Sequence, residues 1–74
     1  MADLQTAFTR LVGCPAPLQS VGIPEIATPA LCAAVSDAGG LGMVSGSLLP
    51  AAGVIDLLER VGRATAAPFG INFL

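Results

Sequence analysis

The sequence predicts an α/β fold, the N-terminal βαβαβ portion of a parallel (β/α)8 TIM-type barrel. Short apolar runs beginning at Leu18, Leu41 and Phe69 alternate with two segments of helical periodicity. Strands separated by helices imply right-handed crossovers and a parallel sheet. The runs begin 23 and 28 residues apart, and eight such units make about 200 residues, the low end for a closed barrel. Hydrophobic residues make up 54% of the 74 and charged residues 11%. That is the interior of a larger protein, because a free-standing small domain needs more charge to cover its outside and buries only about 60% of its unfolded surface.

The elements follow in order. Asp3 to Thr9 is expected to form a short leading helix or cap. Leu11 to Pro17 breaks regularity, because proline removes a donor and biases its predecessor to extended geometry. Leu18-Gln19-Ser20-Val21 reads as the first strand, ended by Gly22, with Ile23 to Ala27 as the following loop. Thr28-Pro29 is a helix start, a good N-cap residue followed by proline at the first helical position. Leu31, Ala34, Val35 and Ala38 recur at helical spacing as one apolar stripe, and Gly39 closes the helix in the left-handed conformation. Leu41 to Ser45 has the pattern of a buried strand. After the loop Gly46 to Leu49, Pro50 opens the second helix, with an apolar stripe of Val54, Leu57, Leu58 and Val61. Asp56–Arg60 and Glu59–Arg63 are i, i+4 pairs with the acid first, the favourable order. Ala66-Ala67-Pro68 is a turn, and Phe69 to Leu74 is the third strand.

Several function classes drop out. The net charge is −2, with three arginines, no lysine and no histidine, so no basic patch exists for nucleic acid. Cys14 and Cys32 do not make a secreted disulfide framework and lack partners for a metal site; they read as buried or half-buried thiols of a reducing compartment. Met1-Ala2-Asp3-Leu4 carries an acid where a signal peptide has a basic region. The uncharged stretch Ala38 to Ile55 contains five glycines, Pro50 and two serines, and so breaks into short elements instead of one spanning helix. A cytoplasmic protein with no membrane and no nucleic-acid partner is expected.

Gly39-Gly40-Leu41-Gly42 superficially resembles a phosphate loop, but it follows a helix and opens a strand, the reverse of a dinucleotide fingerprint. A helix stop with tight helix-to-strand packing is the reading adopted. Asn72 is an amide inside an otherwise apolar strand. It is either a satisfied buried or strand-end residue, or a hydrogen-bonding group at the carboxyl end of a barrel strand, where such proteins bind ligands. Gly22 either ends its strand or allows close backbone approach of a flat ligand. No catalytic set is present. Glu25 is a lone loop carboxylate, and Ser20, Ser36, Ser45 and Ser47 have no base to activate them.

Three segments carry a family resemblance. Arg10 to Gln19 (RLVGCPAPLQ) looks like the opening of the nitronate monooxygenase family, formerly 2-nitropropane dioxygenases. Thr28 to Gly42 (TPALCAAVSDAGGLG) resembles that family's TPELAAAVSxAGGLG, and Pro68 to Asn72 (PFGIN) its PFGVN. The resemblance implies a flavoprotein: a (β/α)8 barrel holding FMN at the carboxyl ends of its strands, with cofactor-binding positions at Gly22, Ile23 and Asn72. It implies a monooxygenase-type oxidoreductase that oxidises alkyl nitronates with O2. Many members use a catalytic histidine from a later strand, which this chain lacks. Members often carry Gly-Met-Gly after the first strand; here it is Gly22-Ile23-Pro24, and proline has no N–H to offer a flavin or substrate. The departure bears on nitronate specificity more than on the FMN contact. It keeps a flavin-dependent enoyl-acyl-carrier-protein reductase-like enzyme as the alternative.

Three parallel strands cannot close, and helices on one face leave the other bare. Residues 1–74 are therefore expected to be the N-terminal fragment of a single flavin-binding barrel domain, inactive alone and needing the rest of the barrel, or an oligomer, to cover its apolar faces. A non-catalytic small αβ module that assembles with itself or a partner is the second expectation.

Overall fold

The computed structural model describes residues 4–73. Helix α1 spans Ala7–Val12. Thr6 and Thr9 cap it reciprocally: Thr6 Oγ1 accepts from the Thr9 N–H at 3.2 Å, and Thr9 Oγ1 from the Thr6 N–H at 2.8 Å. This exchange satisfies two donors that a helix start otherwise orphans, and it puts the helix later than the expected Asp3–Thr9. Asp3 itself, like Leu74 of the expected third strand, lies outside the described residues.

The expected first strand, Leu18–Val21, is corrected to a single parallel bridge between Gln19 and Leu41. The Leu41 N–H donates to Leu18 O at 2.7 Å, and the Ser20 N–H to Leu41 O at 3.0 Å. On the next rung the Met43 N–H donates to Ser20 Oγ at 2.9 Å. A serine hydroxyl can substitute for a ladder carbonyl in this way, and the segment leaves the sheet beyond Ser20.

Helix α2 spans Pro29–Asp37, strand β1 Gly42–Ser45, helix α3 Ala51–Ala64 and strand β2 Phe69–Asn72. Strands β1 and β2 are parallel, in a register running from Gly42 opposite Phe69 to Ser45 opposite Asn72. With the 18–20 segment on the other edge of β1, spatial order follows chain order, as in a singly wound barrel. The helix signals read from the sequence hold. Thr28 Oγ1 accepts from the Leu31 N–H at 3.1 Å, and Gly39 past the end of α2 has φ 109°, a conformation that glycine takes without steric cost.

The core joins Cys32 of α2, Val44 of β1 and Leu57 and Val61 of α3, with Phe69 and Ile71 packed against them. The expected stripe of α3 is the buried one, Val54 and Leu58 being half-buried at its margins. That of α2 is not. Leu31, Ala34 and Ala38 are exposed and Val35 is half-buried, whereas Cys32, Ala33 and Ser36 are buried. The helix lies so close to β1 that a Cβ on Gly42 would fall onto the Cys32 carbonyl oxygen and within 2.7 Å of Ser36 Oγ. Ser36 Oγ accepts from the Gly42 N–H at 2.9 Å. Only small side chains fit that gap, so side-chain size decides the buried face more than hydrophobicity does. The glycines of the 39–42 motif therefore stop a helix and let it pack, as read from the sequence.

The ends of α2 and α3 are tied where Thr65 Oγ1 donates to Asp37 Oδ1 at 2.5 Å and accepts from the Ala67 N–H at 3.0 Å. Asp56 and Arg60 meet at 3.8 Å on the exposed face of α3, a pairing worth only a few tenths of a kcal/mol, about 0.3–0.5. Among the described residues, Glu59–Arg63 makes no such ion pair. No helix there is long and apolar enough to cross a membrane. Large apolar side chains remain exposed, among them Leu11, Leu18, Val21, Ile26, Leu48, Ile55 and Phe73.

Cys14 and Cys32 are both free and buried. The Cys14 thiol donates to Ala16 O at 3.3 Å, and burial pushes the Cys32 thiol pKa up. Because both thiols are shielded from solution, neither cysteine is expected to react with a thiol reagent in the native state, while two equivalents react in denaturant. Fast modification of either thiol without denaturant would contradict the packing of α2 on β1 or of the 13–16 turn.

Candidate functional site

Side chains alternate across a strand. In β1, Gly42 and Val44 face the helices, which leaves Met43 and Ser45 on the opposite face. In β2, Gly70 shares that face: a Cβ there would lie 2.6 Å from Met43 Sδ. Asn72 follows two residues later, opposite Ser45 in the register, at the carboxyl end of the sheet.

The Asn72 carboxamide is oriented by its hydrogen bonds, with its nitrogen toward two carbonyls. In that orientation Nδ2 donates to Val44 O at 2.9 Å and to Gly22 O at 3.2 Å. Gly22 is bare for a related reason. A Cβ there would strike the end of the Asn72 carboxamide and sit 3.2 Å from Val44 O. The structure thus brings Gly22 and Asn72 together across most of the chain's length. Ile23 joins them by chain connectivity, its side chain exposed. Its carbonyl accepts from the Ile26 N–H at 3.0 Å and the Ala27 N–H at 2.7 Å, which shapes the turn that holds exposed Glu25.

The chemistry available here is holding and orienting. The serine oxygens serve the backbone: Ser20 Oγ binds the Met43 N–H, and Ser45 Oγ accepts from the Ser47 N–H at 3.2 Å. Neither β1, β2 nor residues 18–22 carry a charged side chain. The described residues enclose no cavity, so the site is an open, uncharged ledge. Two features escaped sequence reading. Ser20 read only as an unactivated hydroxyl, although a serine at the end of a strand is a known competitor for backbone groups. Leu48, in the loop after β1, has φ 68° and an almost fully exposed side chain. A leucine in the left-handed region costs on the order of 1–2 kcal/mol, and nothing in a Ser-Leu-Leu-Pro sequence signals it.

The family model described as nitronate monooxygenase matches residues 5–74. A nitronate monooxygenase of Pseudomonas aeruginosa is 40% identical over 88% of this chain and 18% of its own length. The (3aS,4S,5R,7aS)-5-hydroxy-7a-methyl-1-oxo-octahydro-1H-indene-4-carboxyl-CoA dehydrogenase of Rhodococcus jostii is 33% identical over 97% of this chain and 20% of its own. Among solved structures, FabK from Thermotoga maritima superposes with a TM-score of 0.86 at 32% identity, covering 92% of this chain and 22% of that one. The chain spans about a fifth of the length of the curated relatives it matches.

Proposed function

Because the chain belongs to the nitronate monooxygenase family, we propose that residues 1–74 are the N-terminal fragment of a single flavin-binding (β/α)8 barrel domain. The whole protein is then an FMN-dependent oxidoreductase that oxidises alkyl nitronates with O2. The observation that carries the reading is the meeting of Gly22 and Asn72 at the carboxyl end of a parallel sheet, the end at which barrels bind their ligands.

The residues fit a flavin. Its ring system is flat and lined along one edge with hydrogen-bonding groups. The ledge is uncharged, is bare of side chain at Gly22, and carries an amide whose carbonyl oxygen can accept from an N–H on the ring edge. Gly22, Ile23 and Asn72 would hold one edge of the ring, and the bound FMN would supply the redox chemistry. This segment binds and orients. With no histidine or lysine in it, a histidine base of the kind many family members use would come from the remainder of the barrel.

The test is the visible absorption spectrum of the protein purified at its natural length from its source. Flavin bands, with FMN as the released chromophore, are the expected result, together with O2 consumption on adding an alkyl nitronate. A folded, colourless protein would overturn the reading in favour of a non-catalytic αβ module. The likeness to FabK and to a carboxyl-CoA dehydrogenase, with proline at position 24, supports a second reading: a flavin enzyme acting on an acyl thioester, in the manner of an enoyl-acyl-carrier-protein reductase. Flavin bands that respond to an enoyl thioester with a nicotinamide donor, and not to nitronate, would select it.

A further inference from the structure

We propose that Asn72 is a positioning residue, whose side-chain amide latches the backbone at Gly22 onto the end of the β1–β2 sheet and leaves only its carbonyl oxygen for a ligand. The backbone bonds between the 18–22 segment and β1 end at Ser20, where the Met43 N–H is taken by a hydroxyl. Beyond that point the Asn72 amide bridges the gap, donating to Gly22 O on one side and Val44 O on the other. A carboxamide has two N–H donors and one carbonyl. Both donors are spent inside the protein, so a group bound at Asn72 must itself donate. The absent Cβ of Gly22 makes room for this latch. The inference deepens the flavin reading at the same site, yet the latch needs no flavin and its test uses none.

The test is Asn72→Asp beside Asn72→Ala in the protein at its natural length. An ionised carboxylate has no donor and would face two carbonyl oxygens, whereas a protonated one can donate to one of them. Its pKa in the folded variant therefore lies above the unfolded value, and its stabilisation is present at low pH and lost as pH rises through the folded pKa. The elements around it, β1, β2 and residues 18–22, carry no titratable side chain. The nearest acid along the chain beyond Gly22 is Glu25, so a Glu25→Gln version of the aspartate variant should keep the profile. Relative to Asn72→Ala, the aspartate variant is expected to gain about 3 °C in Tm on going from roughly pH 8 down to pH 4.5. Identical pH profiles for the two variants would overturn the latch.

If the aspartate variant does not fold, the unmodified chain decides. Its Asn72 side-chain amide protons are identified by NMR as the pair of signals missing from Asn72→Ala. They are expected to exchange with solvent at least about tenfold more slowly than those of exposed Gln19. Equal rates would overturn the proposal.

Discussion

Gly42→Val is expected to lose the native fold, or to keep it with at least about 3 kcal/mol less stability. The cause is where the new atoms would have to go. A Cβ at position 42 would land on the carbonyl oxygen of Cys32, 2.8 Å from the Cys32 carbonyl carbon and 2.7 Å from Ser36 Oγ. The obstacle is helix backbone, which cannot rotate aside as a side chain can. Relief requires α2 to move off the sheet. That movement breaks the Ser36–Gly42 hydrogen bond and opens the contact between Cys32 and Val44 at the centre of the core. Gly42→Ala should already produce most of the loss, because the clash begins at Cβ. Urea unfolding followed by far-UV circular dichroism measures it. A midpoint shift worth less than about 0.5 kcal/mol would mean that α2 does not sit against β1 as described.

Gly22→Val is expected to cost about 2–3 kcal/mol, from overpacking together with loss of two hydrogen bonds of ordinary strength. The nearest obstacle here is the end of the Asn72 side chain, which can swing away, while the Val44 carbonyl oxygen at 3.2 Å is a tight but lesser contact. The fold should therefore survive where Gly42→Val does not. Swinging away removes the donors to Gly22 O and Val44 O and frees the turn that follows. On the flavin reading, the protein at its natural length should also lose FMN affinity by at least about tenfold, the consequence of a misplaced holding group worth about 1.4 kcal/mol. Equilibrium unfolding and flavin fluorescence titration read the two effects separately. Wild-type stability together with wild-type affinity would remove Gly22 from both the latch and the site.

Gly22 and Asn72 show why the site is only partly legible in the sequence. In the sequence they stand apart, one as a strand end and one as an amide in an apolar run. Each carried two readings that local sequence could not separate. Their contact resolves part of that choice, because Asn72 is hydrogen-bonded within the protein and Gly22 is bare to admit it. The role of Ser20 is not legible in the sequence because it is to replace a ladder carbonyl, and that depends on where β1 lies.

What the sequence determined by itself is local. Thr28 and Pro29 start α2, because an N-cap hydroxyl and a preset φ act within one turn. Gly39 stops that helix through a backbone conformation that needs no tertiary partner. The apolar stripe of α3 and the alternation of apolar runs with helices set the order of elements. The tertiary structure decided whatever depends on distances between elements. It reduced Leu18–Val21 to one bridge by turning the Ser20 hydroxyl onto the Met43 N–H. It chose the small-residue face of α2 through the approach of Cys32 to Gly42. It also paired Asn72 with Gly22. Periodicity reports which residues share a face, but the spacing between two packed backbones is set jointly by side chains from different elements, and no single stretch of sequence contains it.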